Sequence, residues 1–132
     1  MNTLKGKIEY VSVNKNLSLV NVNVNEQLLS AIVIDNPETA PYLIPGNSIK
    51  IIFKETEVII GKGKTDNISL QNKFTGSVEF IETGELLSKL TLNTSVGKII
   101  SIITTNAVNQ LGLKKGSEVT AMVKTNEMML IE

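Results

Sequence analysis

The chain has 132 residues, 42% of them hydrophobic, which is enough for one ordinary domain or two very small ones with a packed core and excludes a disordered tail. Thirteen Lys balance thirteen Asp plus Glu, so no global field gathers nucleic acid or an anionic membrane, and any charged ligand must be held locally. Cys, His, Trp and Arg are absent, which removes a thiolate nucleophile, a disulfide framework, an imidazole base and an ordinary zinc site. Asp occurs only at Asp35 and Asp66, and the eleven Glu lack the paired spacing that hydrolytic acid–base chemistry needs, so no enzyme is expected. MNTLKGKIEY has no apolar signal-peptide core, and no apolar run approaches the roughly 18 to 20 residues that cross a bilayer. A cytoplasmic protein without membrane contact is expected.

In chain order the apolar pattern has period two rather than 3.6, the mark of strands. KIEYV (7–11) is the first, followed by LSLVNVNVN (17–25), whose alternation changes phase at Leu19-Val20 as at a bulge. LLSAIVI (28–34) comes next, then PETAPYLIPG, where Pro37, Pro41 and Pro45 allow at most a helical turn. SIKIIF (48–53) and EVII (57–60) complete about five short strands, which suits a small barrel. GKGKTDN (61–67) has two Gly, two Lys and no apolar residue and reads as a connection. Beyond it GSVEFI (76–81), LLSKLTL (86–92), KIISIIT (98–104), EVTAMV (118–123) and EMMLI (127–131) repeat the strand series. LNTSVGK (92–98) offers hydroxyls and a Gly to an anion nest but is far from a phosphate loop, and a hairpin turn accounts for it. A short helix fits 106–111, with Asn106 as its cap. Gly46 and Gly116, each just before a strand, read as positive-φ turn residues.

The repetition is direct. An offset of 70 lays residues 4–62 on 74–132 without a gap, with eleven of 59 positions identical, among them Gly6/Gly76, Asn23/Asn93, Leu43/Leu113, Gly46/Gly116, Lys54/Lys124 and Glu57/Glu127. Most other apolar positions match in type. A first unit over 1–62, a linker at 63–68 and a second unit over 69–132 follow. A barrel of this size is short of core, and its strands are more apolar than one small interior requires, so burial between copies or between chains is expected.

ISLQNKFTGSV (68–78), IIT (102–104) and AVNQLGLKKGSEVTAMVKTNEMML (107–130) resemble the Mop, or molbindin, domain of the TOBE superfamily, most specifically over 111–124. Two copies in tandem resemble the di-Mop members of that molybdate-binding family. The resemblance implies an all-β fold of two tandem OB-like five-stranded barrels that exchange strands, with three chains closing into a homotrimeric ring of six domains. It implies molybdate or tungstate bound at domain interfaces for intracellular storage or homeostasis, with no organic cofactor and no nucleic acid.

The residues it implies are an arm and a lysine loop. The family's Ser-Ala-Arg-Asn arm stands here as Ser69, Leu70, Gln71 and Asn72, so an amide replaces the guanidinium and its charge. The family's Lys-Ala-Ser loop stands as Lys124, Thr125 and Asn126 in the second copy and as Lys54, Glu55 and Thr56 in the first, where the Glu55 charge opposes an anion unless it points outward. Thr104, with Thr105, is a candidate for a second class of site near the ring axis. The chemistry suits a tetrahedral dianion, which needs donors only. Each residue also has a plainer reading: the two lysines as solvated strand ends, Ser69 and Asn72 as turn formers, Met128 and Met129 as packing. Two other functions compete with oxyanion binding. One is a regulatory or assembly module on the same scaffold that has lost the anion. The other is an OB-like nucleic-acid binder, for which Tyr10, Tyr42, Phe53, Phe74 and Phe80 are few and mostly placed as core.

Overall fold

A computed structural model describes all residues, 1–132. Ten strands form two curled antiparallel sheets of five. In chain order these are β1 (Asn2–Asn14), β2 (Leu17–Val24), β3 (Gln27–Val33), β4 (Ser48–Phe53), β5 (Ile59–Gly61), β6 (Asn72–Thr83), β7 (Leu87–Thr94), β8 (Gly97–Thr104), β9 (Glu118–Val123) and β10 (Met129–Ile131), with one helix, α1 (Thr105–Leu111), between β8 and β9. The all-β, doubled architecture expected from the period-two pattern is present.

The sheets do not follow the two copies. Their orders are β10-β4-β1-β2-β3 and β5-β9-β6-β7-β8, so each copy's last strand completes the other copy's sheet. Met129, Leu130 and Ile131 pair with Ile52, Ile51 and Lys50, while Ile59, Ile60 and Gly61 pair with Met122, Ala121 and Thr120. This exchange accounts for the surplus apolar character of EVII and EMMLI. The two interiors merge into a single cluster of 25 buried residues, across which Phe53 and Phe74 stack at 6.4 Å between ring centroids.

Side-chain amides stitch the same seam. Asn72, 1% exposed, accepts at Oδ1 from the Ser30 N–H and donates from Nδ2 to the Ser30 carbonyl, both at 2.8 Å. Asn2 holds the N–H and carbonyl of Ile100 in the same way, again at 2.8 Å. Each amide acts as a detached peptide unit, pairing with the backbone of the other sheet's outer strand where no further strand can reach. Close approach also explains Gly76: a Cβ there would lie 2.2 Å from the Asn93 carbonyl oxygen, and Gly6 faces Asn23 in the same manner.

Three local expectations need correction. The phase change at Leu19-Val20 is no bulge: β2 alternates without interruption, because Ser18, not an apolar residue, fills the inward position, and its hydroxyl donates to the Asp35 carbonyl at 2.7 Å. The bulges lie on the facing strands, between Ile8 and Tyr10 and between Val78 and Phe80. They turn both aromatics outward, leaving Tyr10 60% and Phe80 59% exposed rather than in the core. The cap of α1 is Thr104, whose Oγ1 accepts from the Ala107 N–H at 3.0 Å, and not Asn106, which lies inside the first turn. The proline segment makes turns only, β7 and β8 join in a tight hairpin at Gly97, and Gly46 and Gly116 hold φ of +95° and +89°. Met128 is buried as packing, whereas Met129 sits at the edge pairing with β4.

The amide stitch predicts that Asn72→Ala leaves a part-buried backbone N–H and C=O at Ser30 unpaired, which costs about 1–3 kcal/mol. Chemical denaturation should show that loss with the slope unchanged; a midpoint equal to wild type would show that the stitch adds nothing.

Candidate functional site

Because the last strands are exchanged, the segment just before each one is carried onto the other copy. The 3₁₀ turn Thr125–Glu127, which joins β9 to β10, packs on β3, and its counterpart Glu55–Glu57, which joins β4 to β5, packs on β8. Lys124 and Lys54 sit at the N-cap positions of these turns with extended backbone and no side-chain cap.

Beside the first of these turns lies a cavity of about 510 Å³ lined by Leu19, Ile32, Ile68, Ser69, Leu70, Gln71, Lys124 and Thr125. The irregular arm that enters β6 forms one wall, and the lysine and first turn residue form another. The third is apolar and comes from the first copy: Leu19 on the outward face of β2 and Ile32 of β3, cross-strand neighbours in register. Five residues of the arm and lysine loop therefore meet around one space. The lining contains one cation and no carboxylate. Lys124 is exposed and makes no ion pair, since the molecule's two ion pairs are Met1 with Glu55 and Lys98 with Glu79. Ser69, Thr125, Gln71 and Lys124 give this lining two hydroxyls, an amide and an ammonium, all groups able to donate hydrogen bonds.

The remaining candidate residues fall elsewhere. Asn72 adjoins the cavity in sequence, but both ends of its amide are bonded to Ser30 and it is buried, so its side chain holds the arm's root in place rather than facing the space. Asn126 is exposed and outside the lining. Lys54, Thr56 and Thr104 belong to the other seam, where Glu55–Glu57 meets β8. There Glu55 Oε2 accepts from the Met1 nitrogen at 2.8 Å. That bond, with the charge of Lys89 adding to it, holds the Glu55 carboxyl below the usual carboxylate range. The Thr104 hydroxyl is engaged in capping α1.

Sequence reasoning missed five residues: Leu19, Ile32 and Ile68 as cavity wall, Lys89 acting on Glu55, and Asn2 as the twin of Asn72. The last was visible, since the offset of 70 aligns the two Asn two positions before the compared window begins.

Thr104→Ala should lower the unfolding free energy by about 0.5–2 kcal/mol through loss of the cap. A thermal melt reads this loss, and an unshifted midpoint would show the cap to be inert.

The comparisons with known proteins agree with this frame. The TOBE domain model matches residues 68–130. Molybdenum-pterin-binding proteins 1 and 2 of Clostridium pasteurianum are 35% and 36% identical over 66 residues, which is 49% of this chain and 97% of each relative. Molybdenum-pterin-binding protein MopB of Rhodobacter capsulatus is 29% identical over 106 residues, 79% of this chain and 39% of that protein. The crystal structure of the cytoplasmic molybdate-binding protein ModG with molybdate bound covers 98% of this chain and 94% of its own, with a TM-score of 0.89 and 26% identity. No helix of the chain is long and apolar enough to cross a membrane. With a matched domain in its second half, a full-length match to single-domain relatives and one fold shared from end to end with ModG, the chain belongs to the TOBE/Mop family as a tandem di-Mop protein.

Proposed function

We propose that the chain binds a tetrahedral oxyanion, molybdate or tungstate, in the cavity between the arm Ser69–Gln71 and Lys124–Thr125, as a non-enzymatic cytoplasmic store. The observation that carries this is the cavity's lining, which offers hydroxyl, amide and ammonium donors with no carboxylate. A dianion that is fully deprotonated at neutral pH presents acceptors only, so a space without competing acceptors suits it. The relatives point the same way, since ModG is a molybdate-binding protein and the clostridial and Rhodobacter proteins are molybdenum-pterin-binding proteins. Gln71 supplies hydrogen bonds without charge, so Lys124 carries the Coulombic attraction alone.

Dialysis against molybdate, tungstate, sulfate and phosphate tests this, with bound anion and melting temperature as readouts. Molybdate and tungstate at 100 times the dissociation constant should stabilise the fold by about 2.7 kcal/mol per site. Lys124→Ala should remove most of the binding, and Gln71→Arg should tighten it about tenfold or more, the effect of one charge-assisted bond. Equal uptake of sulfate and phosphate, or none of any oxyanion, would sink the reading.

Assembly belongs to the same proposal. Tyr10, Phe80, Ile34, Leu86 and Leu87 are 55–82% exposed, more apolar surface than a lone chain of this size should present to water. Three chains closing into a ring would cover it. Sedimentation equilibrium should give three times 14.4 kDa, and a monomer at micromolar concentration would refute the ring. Should the ring form while no oxyanion binds, the scaffold acts as a regulatory or assembly module, the alternative that the departures at Gln71 and Asn126 keep in play.

A further inference from the structure

We infer that Glu55 places its own carboxylate where the repeat would otherwise set an oxyanion beside the lysine loop of the first copy, so that each chain takes up one oxyanion at these positions instead of two. The inference rests on the reading of the Lys124 cavity given above.

The internal repeat supplies the geometry. The offset of 70 that relates the copies sets Met1 on Gln71, Asn2 on Asn72, Lys54 on Lys124, Glu55 on Thr125, Lys89 on Leu19 and Ile102 on Ile32. The structure keeps that correspondence at both seams: Asn2 clasps Ile100 as Asn72 clasps Ser30, and the turn Glu55–Glu57 lies on β8 as Thr125–Glu127 lies on β3. In the Lys124 cavity the arm residue Gln71 and the turn residue Thr125 line a shared open space. At the other seam the aligned pair is joined instead: the Glu55 carboxylate reaches from the turn to the nitrogen of Met1, 2.8 Å away. It accepts from Met1, the counterpart of Gln71, as an oxyanion at this seam would.

Charge completes the argument. Lys54 begins the turn at this seam and Lys89 is near enough for its charge to act on the Glu55 carboxyl, against the single Lys124 and the apolar Leu19 of the other. Neither Lys54 nor Lys89 makes an ion pair. The seam has the cations for an anion, and Glu55 answers them from within the chain. A dianion entering there meets an ionised carboxylate already holding the Met1 nitrogen, and the repulsion excludes it. The first copy is therefore a self-occupied counterpart of the second, and removal of one carboxylate should open it.

The test uses the full-length chain with molybdate as probe, counting equivalents by equilibrium dialysis. Wild type should lose one equivalent per chain on Lys124→Ala. Glu55→Thr, which installs the residue of the other copy, should gain one over wild type, and the double variant Lys124→Ala/Glu55→Thr should return to the wild-type count. Glu55→Gln removes the charge and keeps the length, so it should also raise the count, which guards against a folding defect in any one variant. No gain in either Glu55 variant, while Lys124→Ala still costs an equivalent, overturns the role of Glu55 and leaves the Lys124 reading intact. Two equivalents lost in turn from wild type by Lys124→Ala and Lys54→Ala also overturn it. A gain in Glu55→Thr with no loss in Lys124→Ala refutes the Lys124 reading instead.

Discussion

The exchange of two three-residue strands governs everything else in this molecule. β5 and β10 are too short to stand as independent elements, yet each closes a sheet that belongs mostly to the other half of the chain. The consequence is mechanical. A chain that must cross to the other sheet delivers the residues just before the crossing onto that sheet's outer strand, and in both copies those residues begin with a lysine. The lysine loops face the partner copy because the strands behind them are anchored there. Burial drives the arrangement: Val58 and Met128, each 2% exposed, sit where the crossings begin and join the common core.

A frame repeated so closely makes the differences between its halves easy to read. Both seams keep the Asn clasp, the glycine that lets β1 and β6 approach their neighbours, and the turn that follows the lysine. What differs is polar chemistry: Glu55 against Thr125, Lys89 against Leu19, Ile34 against Thr104. Conservation of packing with divergence of charge is what duplication permits, since the core must fit in both halves while each seam is free to hold an external anion or none.

Much of the fold was legible in the residues. Alternation located the strands, the ungapped offset exposed the doubling, and Gly46 and Gly116 marked turns whose positive φ the structure contains. The misplacements share a cause. Ser18 looked like a surface residue because a hydroxyl is polar, but one hydrogen bond to the Asp35 carbonyl lets it occupy an inward position. Tyr10 and Phe80 looked like core because they are aromatic, but a bulge rotates both outward. Thr104 rather than Asn106 caps α1, a choice between two competent capping residues that periodicity does not make. For the site, the family resemblance pointed to the arm and the lysine loop, five residues of which line one cavity, but not to the wall opposite them. Leu19 and Ile32 belong to the other copy, and which strand faces which loop depends on the exchange, a long-range pairing that local pattern does not encode. Asn72 likewise read as a ligand because its donors suit one; only the backbone of Ser30, 42 residues away, claims both ends of its amide.

The apolar wall bears on how a chain without net charge could hold a dianion at all. In water a single ammonium about 4 Å from a unit charge is worth about 1 kcal/mol, and at the intermediate dielectric near a protein surface about 4 kcal/mol. Leu19, Ile32, Ile68 and Leu70 make up half of the residues lining the Lys124 cavity, so an oxyanion bound there as proposed would have an apolar wall on one side, and the hydroxyls and the Gln71 amide would supply hydrogen bonds without needing charge. The other seam differs, with Lys54 at the start of the turn, the charge of Lys89 acting on Glu55, and the carboxylate bonded to the Met1 nitrogen. On the proposed reading, one cation beside an apolar wall and a pair of lysines offset by a carboxylate from within the chain are two answers to the same electrostatic demand.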